Sequence, residues 1–305
     1  MKRWKIVTLM CVAVMAFSLV LTGCNSQTYS PQSKSQTVSA SALGKDGTLR
    51  VGVNASSAPL AGQTSSSSKI VGIDVDVAAY LADELGLKVE IIDVANDPAA
   101  ALKNGTVDMV LGVDASDDEA DYWRSASYLE TGVALFGSEA ETSVPTVDSK
   151  PKIAAQASSK SSWRVTNLFG DDALVAQSDL KSAFSALANG SARYVAADAV
   201  IGTYVSYSNE YADKIIALLQ DPSGYCAAIA TTNTELQSAM SSAMTKLING
   251  GMMDVIESKW LGQPMNLDNI TVVKASSDNS KSSKKKEEAE QPAEESAAEG
   301  EAAAA

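Results

Sequence analysis

From residue 48 onward the sequence alternates between short β-prone runs and stretches whose apolar residues recur at helical spacing, and this alternation limits the chain to folds built on a mainly parallel sheet covered by helices on both faces. Thr48–Val53 is the first β-prone run. Residues 73–85 then carry Val75, Val77, Ala78, Leu81, Ala82 and Leu85 on one helical face. Residues 88–94 form a second strand, with Asp74 expected to cap the intervening helix and Gly86 to end it. The pattern repeats with a helix over Pro98–Lys103, strands over 107–111, 132–137 and 152–156, a helix over Leu180–Ala188 and a strand over 192–197. It breaks at the polar segment 139–150, and the last helices, 234–248 and 252–260, follow a strand ending near Thr231. Changes near 137–145 and near 230 let the chain leave a first lobe (46–137 with 231–274), build a second (138–230) and return.

Composition removes several classes of function. The 305 residues include no histidine and three cysteines, which leaves no Ser-His-Asp or Cys-His nucleophile pair, no His-ligated zinc and no four-cysteine metal site. No catalytic residue, metal or cofactor is therefore expected. The 24 Lys and Arg against 37 Asp and Glu give a net charge of −13, which offers a phosphate backbone no basic footprint and excludes nucleic acid as an expected partner.

Residues 1–24 have three cations (Lys2, Arg3, Lys5) ahead of an apolar run, as a secretory leader does. The run ends in Leu21-Thr22-Gly23-Cys24, which resembles a bacterial lipobox and implies lipidation of Cys24 as the first mature residue; an uncleaved signal anchor is the alternative. Loss of the leader takes the net charge from −13 to −16 and leaves Cys226, within the apolar stretch 225–230, as the free thiol, read as a small buried hydrophobe. Residues 25–45 are rich in Ser, Gln and Thr and are expected to be a flexible tether. Residues 275–305, with eight acids and four bases, are expected to be a solvated tail.

Several segments then resemble one family in order. These are residues 49–53 (LRVGV), 70–78 (IVGIDVDVA), 85–90 (LGLKVE), Ala100 and Leu102 with Gly105 and 107–110 (VDMV), 130–135 (ETGVAL), 153–156 (IAAQ), 194–198 (YVAAD) and 256–262 (IESKWLG). Together they are similar to the amino-acid type of bacterial extracellular solute-binding proteins, family 3, which deliver polar amino acids to ABC importers. The resemblance implies an α/β, two-lobed, periplasmic-binding-protein-like (type 2) fold with two hinge crossings and a small polar solute in the cleft. It also implies an ABC transporter permease as partner, a place at the extracytoplasmic face of the membrane, and a monomer.

On that resemblance Asp198 falls where the family places the acid that pairs with a ligand ammonium, although it is equally placed to cap the helix that follows. Ser158, Ser159 and Lys160 fall where a turn presents N–H groups and hydroxyls to the ligand carboxylate, with a plain Ser-rich turn as the alternative. Two departures stand out. The family's carboxylate-clamping arginine is missing from the acidic stretch 114–121, its place falling on Asp118 or Ala120, and Arg124 comes several residues late. The first loop lacks the family's aromatic wall and leaves Asn54, Ser57 and Leu60 as its candidate contacts; Trp163 and Lys160 are the candidate replacements for wall and cation. These departures keep open a sensing module with a different ligand, or a dehydratase or glycan-cleaving enzyme on the same scaffold.

Overall fold

The computed structural model describes residues 34–64, 67–116 and 121–274. The leader with Cys24, residues 25–33 of the expected tether, Asp118, Ala120 and the acidic tail lie outside the described residues.

The first lobe is built on strands β1 (Thr48–Val53), β5 (Lys88–Asp93), β6 (Met109–Asp114), β7 (Trp123–Arg124), β8 (Leu129–Thr131) and β14 (Ser223–Ile229). Their order is β5-β1-β6-β14-β7, with β8 also paired to β14. β1 runs parallel to β5 and β6, whereas β14 is antiparallel to β6, β7 and β8. A small antiparallel sheet, β2 (Ser56–Ser57), β3 (Ala61–Gln63) and β4 (Ile70–Val71), precedes helix α1 (Ile73–Glu84). α1 buries Ile73, Val77, Ala78, Leu81 and Ala82, the stripe that its period of 3.6 puts on one side, against Leu49, Val51 and Met109 of the sheet. Helix α2 (Pro98–Lys103) is capped by Asp97, and α6 (Thr234–Asn249) and α7 (Met252–Leu261) add Leu236, Met240, Met244 and Ile256 to the first-lobe core.

The second lobe contains β9 (Val133–Ser138), β10 (Ile153–Gln156), β11 (Leu174–Gln177), β12 (Tyr194–Asp198) and β13 (Asp213–Leu218) in the order β11-β10-β12-β9-β13. β10 is parallel to β11 and β12, while β9 is antiparallel to β12 and β13. Helices α3 (Lys160–Phe169), α4 (Leu180–Ala188) and α5 (Ala199–Ser208) cover this sheet. Both sheets are thus mixed, with a parallel part and antiparallel neighbours contributed by the strands that cross between lobes.

Strand pairing corrects the expected lobe boundaries. The first crossing is at Gly132, between β8 of one sheet and β9 of the other, and the second lies at 219–222, between β13 and β14. Residues 133–137 therefore belong to the second lobe and 223–229 to the first, because an apolar run shows that a strand exists without showing which sheet it joins.

Three further expectations change. Residues 35–45 are docked on the first lobe: Val38, Ala42 and Leu43 are buried, Thr37 N donates to Leu85 O at 3.0 Å, and the Ser39 N–H and hydroxyl both donate to the Glu235 carboxylate. Residues 265–273, expected to belong to the first lobe, touch that lobe through Met265 and bury Leu267 and Val273 in the second. Leu267 is buried with Phe136 and Phe184, and β13 is tied to the segment by Leu218 N donating to Thr271 O at 2.9 Å and Val273 N donating to Leu218 O at 2.8 Å. It forms a third connection between lobes. Asp74 is not the cap of α1; Gly72 holds that place at φ 151, where a Cβ would sit 2.1 Å from Leu60 O, and the Asp74 side chain lies buried in the first turn. Gly86 does follow the end of α1, at φ 68.

Candidate functional site

The ends of β6, β8 and β12, the first turn of α3 and the second crossing converge on a cavity of about 50 Å³ lined by Asp114, Thr131, Gly132, Val133, Lys160, Ser161, Asp198, Gln220 and Ser223. Carboxyl ends of strands, where a chain changes sheets, are where α/β folds place ligands.

Asp198 ends β12 and caps α5. Its Oδ1 accepts from Val200 N at 2.9 Å and Ile201 N at 3.0 Å, while its Oδ2 accepts from the Thr131 hydroxyl at 2.6 Å and the Tyr225 hydroxyl at 3.4 Å. Burial raises its pKa above the ordinary carboxylate value, and those hydrogen bonds oppose the shift. Capping and cleft lining are thus divided between two oxygens of one group.

Lys160 opens α3 and reaches across to the first lobe, its Nζ 3.7 Å from Asp114 Oδ2. Asp114 accepts from the Ser116 N–H and hydroxyl at 2.9 and 2.7 Å and from the Ser223 hydroxyl at 3.0 Å. Partial burial pushes its pKa up, but the Ser116 and Ser223 hydrogen bonds and the Lys160 charge outweigh it and hold the group below its ordinary value. The lining therefore carries two carboxylates and one ammonium, among hydroxyls and an amide.

The other candidates are placed differently. Ser159 is the cap of α3: its hydroxyl accepts from Ser162 N and donates to Gln156 O, and the Ser162 hydroxyl accepts from Ser159 N in return, so this side chain is committed to the helix end. Ser158 is exposed at φ 59 and is not in the lining; Ser161, which was not a candidate, is. Trp163 is 69 % exposed on the outside of α3 and supplies no wall to the cavity. Asn54 Oδ1 accepts from Ser56 N, Ser57 pairs with Ala61 in the small sheet, and Leu60 is buried in the first-lobe core; none of the three lines the cavity. Arg124 is paired with Ala228 on β7, also outside the lining.

Asp114, Thr131, Gln220 and Ser223 line the cavity without having been candidates. Asp114 opens the acidic stretch 114–121, where no single acid stands out, and Thr131 and Ser223 reach their partners only through strand pairing, 67 and 109 residues away in sequence.

A family model described as bacterial extracellular solute-binding proteins, family 3, matches residues 49–263. Among solved structures, the L-cystine solute receptor of Neisseria gonorrhoeae in its unliganded open conformation superposes with a TM-score of 0.63 at 22 % identity, covering 71 % of this chain and 93 % of the receptor. An ancestral cationic amino acid solute-binding protein gives 0.61 at 22 % identity over 70 % and 96 % of the two chains. A polar amino acid ABC uptake transporter substrate-binding protein from Streptococcus thermophilus gives 0.61 at 18 % over 71 % and 86 %. No curated protein sequence matches the chain. These likenesses agree with a type 2 periplasmic-binding-protein-like fold. With the family model spanning both lobes and both crossings, the chain belongs to the bacterial extracellular solute-binding proteins, family 3.

Proposed function

We propose that this protein captures a small polar solute, with amino acids the first candidates, between its lobes and delivers it to the permease of an ABC importer. In this reading it works as a monomer without chemistry of its own, held at the extracytoplasmic face of the membrane through lipidated Cys24. The observation that carries the reading is the pairing of opposite charges at one small cavity: Lys160 and Asp198 both line it, with Asp114 facing Lys160 from the other lobe. An α-amino acid needs one cation and one acid. Its carboxylate would take Lys160 from Asp114, and its ammonium would meet Asp198 Oδ2 and the nearby hydroxyls. A space of about 50 Å³ is below the roughly 300 Å³ of ordinary ligand pockets, so entry requires the lobes to part and the Lys160–Asp114 contact to break. A ligand gripping both lobes then shifts the open-closed population, the signal a permease can sense.

One observation favours a second reading of the ligand. Asp114 and Asp198 outnumber Lys160 in the lining, and the family's arginine is absent from 114–121, so a cationic solute without a carboxylate also fits the charge of the site. Calorimetry on the purified full-length chain with the twenty amino acids and a set of simple amines separates the two. Binding of an amino acid that falls at least tenfold in both Lys160→Ala and Asp198→Asn is the expected result. Binding of amines alone moves the substrate class, and amino-acid binding indifferent to both substitutions overturns the site.

A further inference from the structure

A second and larger cavity, of about 520 Å³, lies at the opposite end of α5 and β13 from the cleft, beneath the C-terminal segment that connects the lobes. It shares no lining residue with the cleft. Its size is within the range of small-molecule sites. Part of the wall is aromatic and already fixed: the Tyr211 ring stacks on Phe184 at 5.7 Å with its hydroxyl on Ser185, and the Tyr207 ring lies against Gly262, where a Cβ would come within 2.6 Å of it. Phe136 and Met265 add further apolar surface.

Into this lining β13 places Asp213. Its Oδ2 is buried and has no hydrogen-bond partner, and among the described residues no cation forms an ion pair with it, although Lys214 lines the same cavity. Burial, reinforced by the neighbouring Glu139 charge and only partly relieved by Ser206, pushes its pKa up to about 6. A half-buried carboxylate without a counter-charge is costly, and each such group in a folded protein calls for a partner. A protonated amine in the cavity supplies the positive charge, and its N–H groups reach Oδ2 once the Asp213 carboxylate turns toward the cavity. The aromatic rings beside it favour a cation with an apolar body.

We propose that this cavity is a second ligand site, distinct from the cleft, that takes a small primary ammonium bearing an apolar or aromatic body, with Asp213 as its counter-ion. The site does not depend on what the cleft binds.

The test is calorimetry on the purified full-length chain with 2-phenylethylammonium, and with 2-phenylethanol as the uncharged analogue. The amine is expected to bind at least tenfold more tightly than the alcohol, to lose tenfold or more of its affinity in Asp213→Asn, and to be unchanged in Asp198→Asn. Tyr207 is exposed, so Tyr207→Ala keeps the fold and is expected to weaken the amine several-fold, which decides the matter if Asp213→Asn does not fold. Equal binding of amine and alcohol, no binding of the amine at about millimolar concentration, amine affinity indifferent to Tyr207→Ala, or its loss in Asp198→Asn each overturns the proposal.

Discussion

At Asp198 one carboxylate meets two demands, and the substitution chosen to test it must separate them. Asparagine retains an oxygen that can accept from Val200 N and Ile201 N, so Asp198→Asn keeps the cap of α5 while removing the charge. Alanine loses the cap and also strips the Thr131 hydroxyl of its acceptor. Asp198→Ala is therefore expected to cost about 1–3 kcal/mol in urea unfolding, and Asp198→Asn less than about 1 kcal/mol. Equal losses in both would show that the charge, and not the cap, stabilises this junction. The cap was legible in the sequence because a strand ending in Asp ahead of a helical stretch is a local signal, whereas its place at the cleft came only with the family resemblance. Asp114, Thr131 and Ser223 carry no comparable mark: each is an ordinary polar residue until pairing in the first sheet brings β6, β8 and β14 side by side. Trp163 misled for the opposite reason. An indole near the expected site suggested a wall, but the turn of α3 that points Ser161 and Ser162 inward leaves residue 163 facing out.

Among elements, helices with a full apolar stripe were readable nearly to the residue, as the reading of 73–85 against the observed Ile73–Glu84 shows. Strands were readable as strands and not as members of a sheet. β13 and β14 lie close in sequence yet join different lobes, a fact decided by partners far along the chain, and the antiparallel strands in both sheets follow from the same long-range pairing. The C-terminal segment was the least legible element, because Leu267, Ile270, Val272 and Val273 have no periodicity to place them. Their burial nevertheless does structural work at three points. Met265 N and Leu267 N donate to the carboxylates of Glu257 and Glu130 at 2.7 and 2.9 Å, and Leu267 enters the core beside Phe136 and Phe184. Because Leu267 is only 2 % exposed, Leu267→Ala is expected to destabilise the protein by about 2–4 kcal/mol. Urea unfolding measures it directly, and a loss below about 0.5 kcal/mol would mean that the segment is not docked on the second lobe in solution.

For the whole molecule, the buried acids set the pH dependence of stability. Asp74 lies wholly within the first lobe, its Oδ1 accepting from the Tyr128 hydroxyl at 2.5 Å; burial pushes its pKa up to about 7 against that hydrogen bond. Glu257 is likewise pushed up to about 7 and Asp213 to about 6 by burial, and Asp198 is raised for the same reason. The sign follows from linkage: between about pH 4 and 7 the folded chain holds protons that the unfolded chain has released, so stability is greatest at the acid side of that window and falls as pH rises through it. Acids with lowered pKa act in the other direction but elsewhere. Glu141, held at about 2 first by its hydrogen bond with Arg193, contributes stability that is lost only below about pH 4. The net charge of −13 adds self-repulsion that grows over the same window as carboxyls ionise. The urea midpoint is therefore expected to be higher near pH 5 than near pH 8, by an amount equivalent to a few kcal/mol. Asp74→Asn, neutral at every pH and still able to accept from Tyr128, is expected to flatten the part of this slope between pH 5 and 8. If the wild-type midpoint instead rises toward pH 8, these carboxyls ionise freely in the folded state and their burial is relieved by water; if the slope persists in Asp74→Asn, it belongs to Glu257, Asp213 and Asp198, which the corresponding amide substitutions would then apportion.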